Sequence, residues 1–84
     1  MTTLTYYVAL PFVRADDGTT VPGEAFECPN AASAIVQAEF LSQAAGNVGA
    51  IAFSRTGDPD VGRFEDARVL ETFGEQSVDL TMLF

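Results

Sequence analysis

The sequence contains no lysine, no histidine and no tryptophan, and Cys28 is its only cysteine. Without lysine or histidine, the chain alone cannot build a Schiff-base lysine, a Walker lysine, a Ser-His-Asp triad or a histidine metal site. A single thiol likewise excludes a disulfide framework and a structural zinc site made by this chain. We therefore expect a protein that is not an enzyme and that uses no cofactor.

Positive charge is scarce, because four arginines stand against 12 acidic residues and the net charge is -8. Nucleic-acid binders carry a basic patch that displaces counterions from phosphate, so we expect no nucleic-acid partner. The same charge suggests a different role, an acidic mimic of nucleic acid that occupies a basic protein. The carboxylates are scattered along the chain, however, and are not spaced as a phosphate-like array.

The chain is short, with 84 residues of which 48% are hydrophobic and 19% charged, a composition typical of one folded domain. A domain of this size buries only about 60–65% of its unfolded surface, and dimerisation commonly adds the missing stability. No run of residues approaches the roughly 20 apolar positions of a transmembrane helix. The N-terminus also lacks the features of a signal peptide. We expect a cytoplasmic protein without a membrane partner.

Hydrophobic periodicity predicts the element order β-β-α-β-β. The predicted strands cover residues 4–13, 19–28, 48–54 and 64–73, and the predicted helix covers residues 30–45. These elements indicate an α+β fold, an antiparallel sheet of about four strands with one helix packed on one face. We expect a single domain over residues 1–84, in which residues 75–84 are an apolar tail that forms a strand or is partly disordered.

Alternation along the first strand predicts which side chains face the core. We expect its even-numbered residues, from Leu4 to Phe12, to lie on the core face. Pro11 cannot donate a ladder hydrogen bond and predicts an edge or a bulge, and Phe26 is the expected core anchor of the second strand. The residues expected on the open face of the sheet are Tyr7, Ala9, Val13, Ala50, Ala52 and Leu70.

The predicted helix has a narrow alanine-rich stripe and an apolar pair on the other side. Asn30 is the expected N-cap, and the stripe consists of Ala31, Ala34, Ile35, Ala38, Leu41 and Ala45. Val36 and Phe40 fall nearly opposite the stripe. They are covered either by loops and the tail of the same chain or by a second copy, and we favour the second copy. Met82 and Phe84 in the tail complete the predicted interface.

The densest polar segment, residues 55–63, is flanked by Arg55 and Arg63. Asp58, Asp60 and Gly62 form part of a calcium-loop pattern, but the further oxygen ligands of such a loop are missing. Turn-forming residues favour an ordinary hairpin loop. The alternative is a small-ligand, anion or metal site built from Arg55, Asp58, Asp60 and Arg63.

Three segments carry a resemblance to a known group. They are Phe26-Glu27-Cys28-Pro29, the alanine-rich helix, and the run from Gly49 to Pro59. Over residues 6–75 the chain resembles a group of short bacterial proteins of unknown function from proteobacteria. The resemblance implies no activity.

Together these features predict a small non-enzymatic, homodimeric domain that binds another protein. The alternatives are a ligand, anion or metal module at residues 55–63 and an acidic nucleic-acid mimic.

Overall fold

The structure is a computed structural model that describes residues 3–74. Within that range the chain forms six strands and one helix and has the predicted α+β fold. In chain order the elements are β1 (Leu4–Arg14), β2 (Thr20–Pro22), β3 (Phe26–Cys28), α1 (Ala31–Gln43), β4 (Asn47–Asp58), β5 (Arg63–Phe64) and β6 (Arg68–Gly74).

The long strands β1 and β4 lie side by side and antiparallel at the centre of the sheet. β2 and β3 pair with the other side of β1, while β5 and β6 pair with the other side of β4. The two predicted hairpins therefore meet through their longest strands. The sheet differs from the prediction because the second and fourth predicted strands are each divided into two short ones.

The break between β2 and β3 lies opposite Pro11. The backbone N–H of Gly23 donates to the Pro11 carbonyl oxygen at 2.8 Å, just beyond the end of β2. The N–H and C=O of one strand residue point to the same side, so the missing N–H of Pro11 faces this break. The prediction that this end of β1 is an edge is wrong, since β1 is paired on both sides. The alternative, a bulge, has a counterpart in the register shift between Phe12 and Val13, just after Pro11.

The turn between β1 and β2 forms where Asp-Gly predicts it. Gly18 has a φ of +89° and donates its N–H to the Ala15 carbonyl oxygen at 2.9 Å. The hydroxyl and the backbone N–H of Thr19 both donate to the Asp17 carboxylate, at 2.7 and 3.0 Å. These hydrogen bonds, the hydroxyl's first, hold the pKa of the exposed Asp17 carboxyl below its ordinary value.

The helix α1 has the predicted cap and the predicted buried stripe. The Asn30 side chain accepts a hydrogen bond from the Ser33 N–H at 2.8 Å, which satisfies one of the free donors of the first turn. Ala34, Ala38 and Leu41 of the predicted stripe are buried against the sheet. The last predicted member, Ala45, is exposed and lies beyond the helix, which ends at Gln43. At the other end, the Asn47 side-chain amide donates to the Leu41 carbonyl oxygen at 2.8 Å and fixes the return of the chain into β4.

The helix packs on the opposite face of the sheet from the one expected. Ala9, Ala50 and Ala52 are fully buried beneath α1, and Tyr7 and Leu70 pack against the same cluster. The prediction that these residues form an open face is therefore wrong. Because the helix stripe is mostly alanine, α1 fits closely against the small side chains of β1 and β4 rather than their large ones.

The even-numbered residues of β1 belong to a second buried cluster. Leu10 and Phe12 pack with Ile51 and Phe53 of β4, and Phe12 and Ile51 are the largest fully buried side chains of the described residues. Phe26, the expected core anchor, is instead 39% exposed. Both faces of the sheet are therefore apolar and buried over its central part. No helix within residues 3–74 is long and apolar enough to cross a membrane.

Candidate functional site

The outer face of α1 carries the two most exposed large apolar side chains of the described chain. Val36 is 68% exposed and Phe40 is 67% exposed, one helical turn apart. They point away from the sheet because the alanine stripe on the other side of the helix fixes its rotation. Residues 3–74 therefore leave this pair in contact with water, which is unfavourable for a phenylalanine and a valine together.

A shallow groove lies next to this pair on the same helix. Its volume is about 400 Å³. The residues that line it come from two successive helical turns and are Ala32, Ser33, Val36 and Gln37. Small side chains at the first two positions create the depression, and Val36 forms one wall. The outer face of α1 thus combines a protruding ring with a depression of apolar and small residues.

The predicted loop at residues 55–63 is mostly strand. β4 continues to Asp58 and β5 begins at Arg63, so only residues 59–62 form the turn. Asp58 is 7% exposed, and its side chain accepts the Asp60 N–H at 2.9 Å, which is a local turn interaction. Asp60 and Arg63 are exposed, and Arg63 is the cross-strand neighbour of Asp58.

Arg55 is engaged in packing and is separated from the two aspartates. Its guanidinium carbon lies 5.1 Å from the centre of the Phe64 ring, and its Nε donates to the Glu65 carbonyl oxygen at 3.4 Å. Residues 55 and 58 have opposite parity on β4, so their side chains leave opposite faces of the strand. The structure therefore does not bring Arg55, Asp58, Asp60 and Arg63 together at one point.

The described residues also contain no cluster that suits a metal ion. Within residues 3–74, no three cysteine or carboxylate side chains come close enough to hold one. The partial calcium pattern at Asp58 and Asp60 instead has the geometry of a hairpin turn.

The β4–β5 hairpin nevertheless borders a groove of about 960 Å³. Phe64 and Val61 supply apolar side chains, and Arg63 supplies one cation. The full lining is Thr3, Gly57, Asp58, Val61, Gly62, Arg63, Phe64 and Glu65. Gly57 is tightly packed here, because a Cβ at this position would clash with the Arg63 carbonyl oxygen and would lie 2.7 Å from the Phe64 Cα.

We expect Gly57→Ala to lower the free energy of unfolding by about 1–3 kcal/mol, because the clash is with backbone atoms of β5 that no side-chain rotation can relieve. Urea denaturation followed by circular dichroism measures the change. The comparison is Gly23→Ala, where the nearest atom is the Pro11 side chain at 3.3 Å and a small shift relieves the contact. Equal stability of the two variants would contradict the close packing of Phe64 on Gly57.

A second, polar cleft of about 380 Å³ lies on the helix side of the sheet. Thr5 and Thr56 belong to its lining and share a hydrogen bond of 2.9 Å between their hydroxyl groups. The other residues that line it are Tyr7, Ser54, Glu65, Asp66, Arg68 and Leu70. The sequence contains a signal for this cleft. On the side of β1 and β4 that faces the helix, the alternate residues change along the strands from alanine to residues with hydroxyl groups.

Cys28 is half-buried at the end of β3 and packs against the helix-side core. Its thiol lies 3.6 Å from the Phe26 carbonyl oxygen. The predicted interface residues Met82 and Phe84 lie outside the described residues.

Comparisons with known proteins assign no class to this fold and these surfaces. No protein-family model, no curated protein and no solved structure matches the chain. The resemblance to short bacterial proteins stays a prediction.

Proposed function

We propose that the protein is a small interaction domain that works as a homodimer and that the outer face of α1 is its self-association surface. The observation that carries this proposal is the exposure of Val36 and Phe40, 68% and 67%, side by side on the helix. Exposed apolar side chains that are grouped on one element are typical of a protein-binding surface. The function is binding, and the partner at this surface is a second copy of the chain.

The apolar pair supplies enough free energy for a modest affinity. Full burial of a valine or phenylalanine side chain contributes about 1.5–3 kcal/mol, so a symmetric dimer that buries the exposed two thirds of two of each gains roughly 4–8 kcal/mol. Association costs at least about 4 kcal/mol in lost freedom of motion. The remaining free energy and the small area of one helix face favour a transient dimer rather than an obligate one.

Charge also favours the helix as the contact. Only one of the 13 residues of α1, Glu39, is charged, although the whole chain has a net charge of -8. Two copies repel each other over most of their surfaces, and the repulsion is weakest where charged side chains are few. Added salt screens the remaining repulsion, so we expect self-association to strengthen between low and physiological ionic strength.

The test is the mass of the protein in solution as its concentration rises. We expect sedimentation equilibrium to show a monomer of 8.9 kDa in equilibrium with a dimer, and Phe40→Glu to leave only the monomer. The matched control is Val61→Glu, which makes a similar change at a side chain that is 64% exposed on the β4–β5 turn. Only the helix variant should dissociate the dimer.

A wild-type chain that stays monomeric at millimolar concentration would overturn the proposal. Equal loss of dimer in Phe40→Glu and Val61→Glu would show that added negative charge, and not the helix face, determines association.

A second candidate function is the binding of a small organic anion in the groove beside the β4–β5 hairpin. The volume of about 960 Å³, the Phe64 ring and the exposed Arg63 guanidinium favour a ligand with an apolar body and one carboxylate. Titration with benzoate should shift the amide NMR signals of Gly62 and Arg63, and Arg63→Gln should abolish the shifts. Unchanged spectra at millimolar benzoate would reject this function.

A further inference from the structure

The outer face of α1 is complementary to itself. Phe40 protrudes from the C-terminal half of the face, and the groove of about 400 Å³ lies in the N-terminal half. A protrusion and a depression on one helix can satisfy each other across a two-fold axis only if the two helices run in opposite directions, because parallel helices place Phe40 against Phe40 and leave both grooves empty.

Resting on the proposed function, we propose that two copies of the chain pack α1 against α1 in antiparallel orientation, with Phe40 of each copy in the groove of the other. The two-fold axis then passes close to Val36 and Gln37, and Val36 lies against its counterpart. The groove that receives the ring is the one between Ala32, Ser33, Val36 and Gln37.

The rows of side chains on α1 fit this arrangement. Residues four apart form ridges on a helix, here Ala32–Val36–Phe40 and, beside it, Ser33–Gln37. The groove is the space between these two ridges. Insertion of the Ala32–Val36–Phe40 ridge of one copy into the groove of the other is the commonest class of helix packing, with a crossing angle of about 50°.

The charge of α1 is compatible with a contact between two copies. Glu39 is the one charged residue of the helix and lies about 100° around it from Phe40, on the flank of the contact. Two acidic chains can therefore join their helices without a carboxylate at the centre of the contact.

Single-cysteine cross-linking tests the orientation in the full chain. In a Cys28→Ser background, Val36→Cys lies at the two-fold axis and should form a covalent dimer with a short bifunctional thiol reagent. Gln43→Cys is the matched control, because antiparallel packing separates the two copies of residue 43 by roughly 20 Å along the helix axes. A mixture of Ala32→Cys and Gln43→Cys should give the mixed dimer.

The outcomes separate the orientation from the proposed function. Efficient linkage of Val36→Cys and of the mixed pair, without self-linkage of Gln43→Cys, supports the antiparallel arrangement. Self-linkage of both Val36→Cys and Gln43→Cys would overturn it in favour of a parallel dimer. A dimeric wild-type protein in which Val36→Cys does not link would overturn the helix contact. A monomeric wild-type protein would overturn the proposed function and the arrangement with it.

A change in size at the groove provides a second readout that does not depend on cross-linking. Ser33→Leu fills the depression from within and should weaken dimerisation at least tenfold, although it adds apolar surface. Ala25→Leu also adds apolar surface without a change of charge, at an exposed position away from the helix, and should leave the dimerisation constant unchanged. Stronger dimerisation of Ser33→Leu would mean that the ring of the other copy does not occupy the groove.

Discussion

Replacement of Phe12 by alanine is expected to lower the free energy of unfolding by about 3–5 kcal/mol. Phe12 is fully buried and packs with Leu10, Ile51 and Phe53 on the face of the sheet opposite α1. Removal of the ring leaves a cavity on this face of the two central strands, β1 and β4, which are paired on both sides and cannot move to close it. Small domains have about 5 kcal/mol of stability at the low end, so this loss approaches the total.

The measurement is urea denaturation at one fixed protein concentration, because dimerisation adds to the apparent stability. The control is Phe26→Ala, the same change at a ring on β3 that is 39% exposed. We expect this control to lose a much smaller free energy. A loss at Phe12 no greater than that at Phe26 would mean that the second cluster does not contribute to the core.

The sequence predicts the elements of this fold better than it predicts their faces. Alternation identifies a strand, but along β1 and β4 both parities are apolar, and one face is distinguished from the other only by size. Large residues normally indicate the side that packs on a helix. Here the helix stripe is itself alanine, and close packing of small residues on small residues reverses the assignment.

Irregular pairing also limits what periodicity can show. In β6 a register shift opposite Ala52 and Phe53 changes the parity, so Leu70 and Phe73 both pack on the helix side although they are three residues apart. A bulge inserts one residue into a strand and moves every later side chain to the other face. Nothing in the local composition of the fourth predicted strand marks this position.

One candidate site could be predicted from local periodicity, whereas the other depends on long-range pairing. Exposure of Val36 and Phe40 follows from the helical period, which places them opposite a stripe that must be buried, and the structure agrees. The separation of Arg55 from Asp58 depends on the true end of β4, four residues beyond the predicted one. Strand length is determined by pairing with β1, which extends to Leu4 opposite Gly57 and is a long-range property.

The two faces of the sheet therefore have different packing rules. The helix side depends on small side chains that allow a close approach, whereas the other side depends on large ones that fill space. Added hydrophobic volume should consequently stabilise neither side, and on the helix side it should be harmful.

Ala38→Leu tests this rule and is expected to lower the free energy of unfolding by about 3 kcal/mol. Ala38 is fully buried in α1 and belongs to the same cluster as Ala9, Ala50 and Ala52 of the sheet. Leucine has nearly the helix propensity of alanine and is more hydrophobic, so neither property accounts for a loss. The expected cause is steric, because the added atoms force α1 away from the sheet along its whole contact.

The control is Gln43→Leu, which places the same side chain at an exposed position of the same helix. Because residue 43 lies opposite Ala32 of the other copy in the proposed dimer, both variants are compared at a concentration low enough to keep the protein monomeric. Urea denaturation at equal concentration should show a change within about 0.5 kcal/mol for this variant.

The dimerisation constant, measured separately, distinguishes a packing defect from a defect in the association surface. The rotation of α1 that exposes Phe40 depends on the contact between the helix and the alanines of the sheet. If Ala38→Leu displaces the helix, it should lower both the free energy of unfolding and the affinity of dimerisation. Phe40→Glu should lower only the affinity of dimerisation. Unchanged stability of Ala38→Leu would show that the sheet has room for a larger side chain beneath the helix.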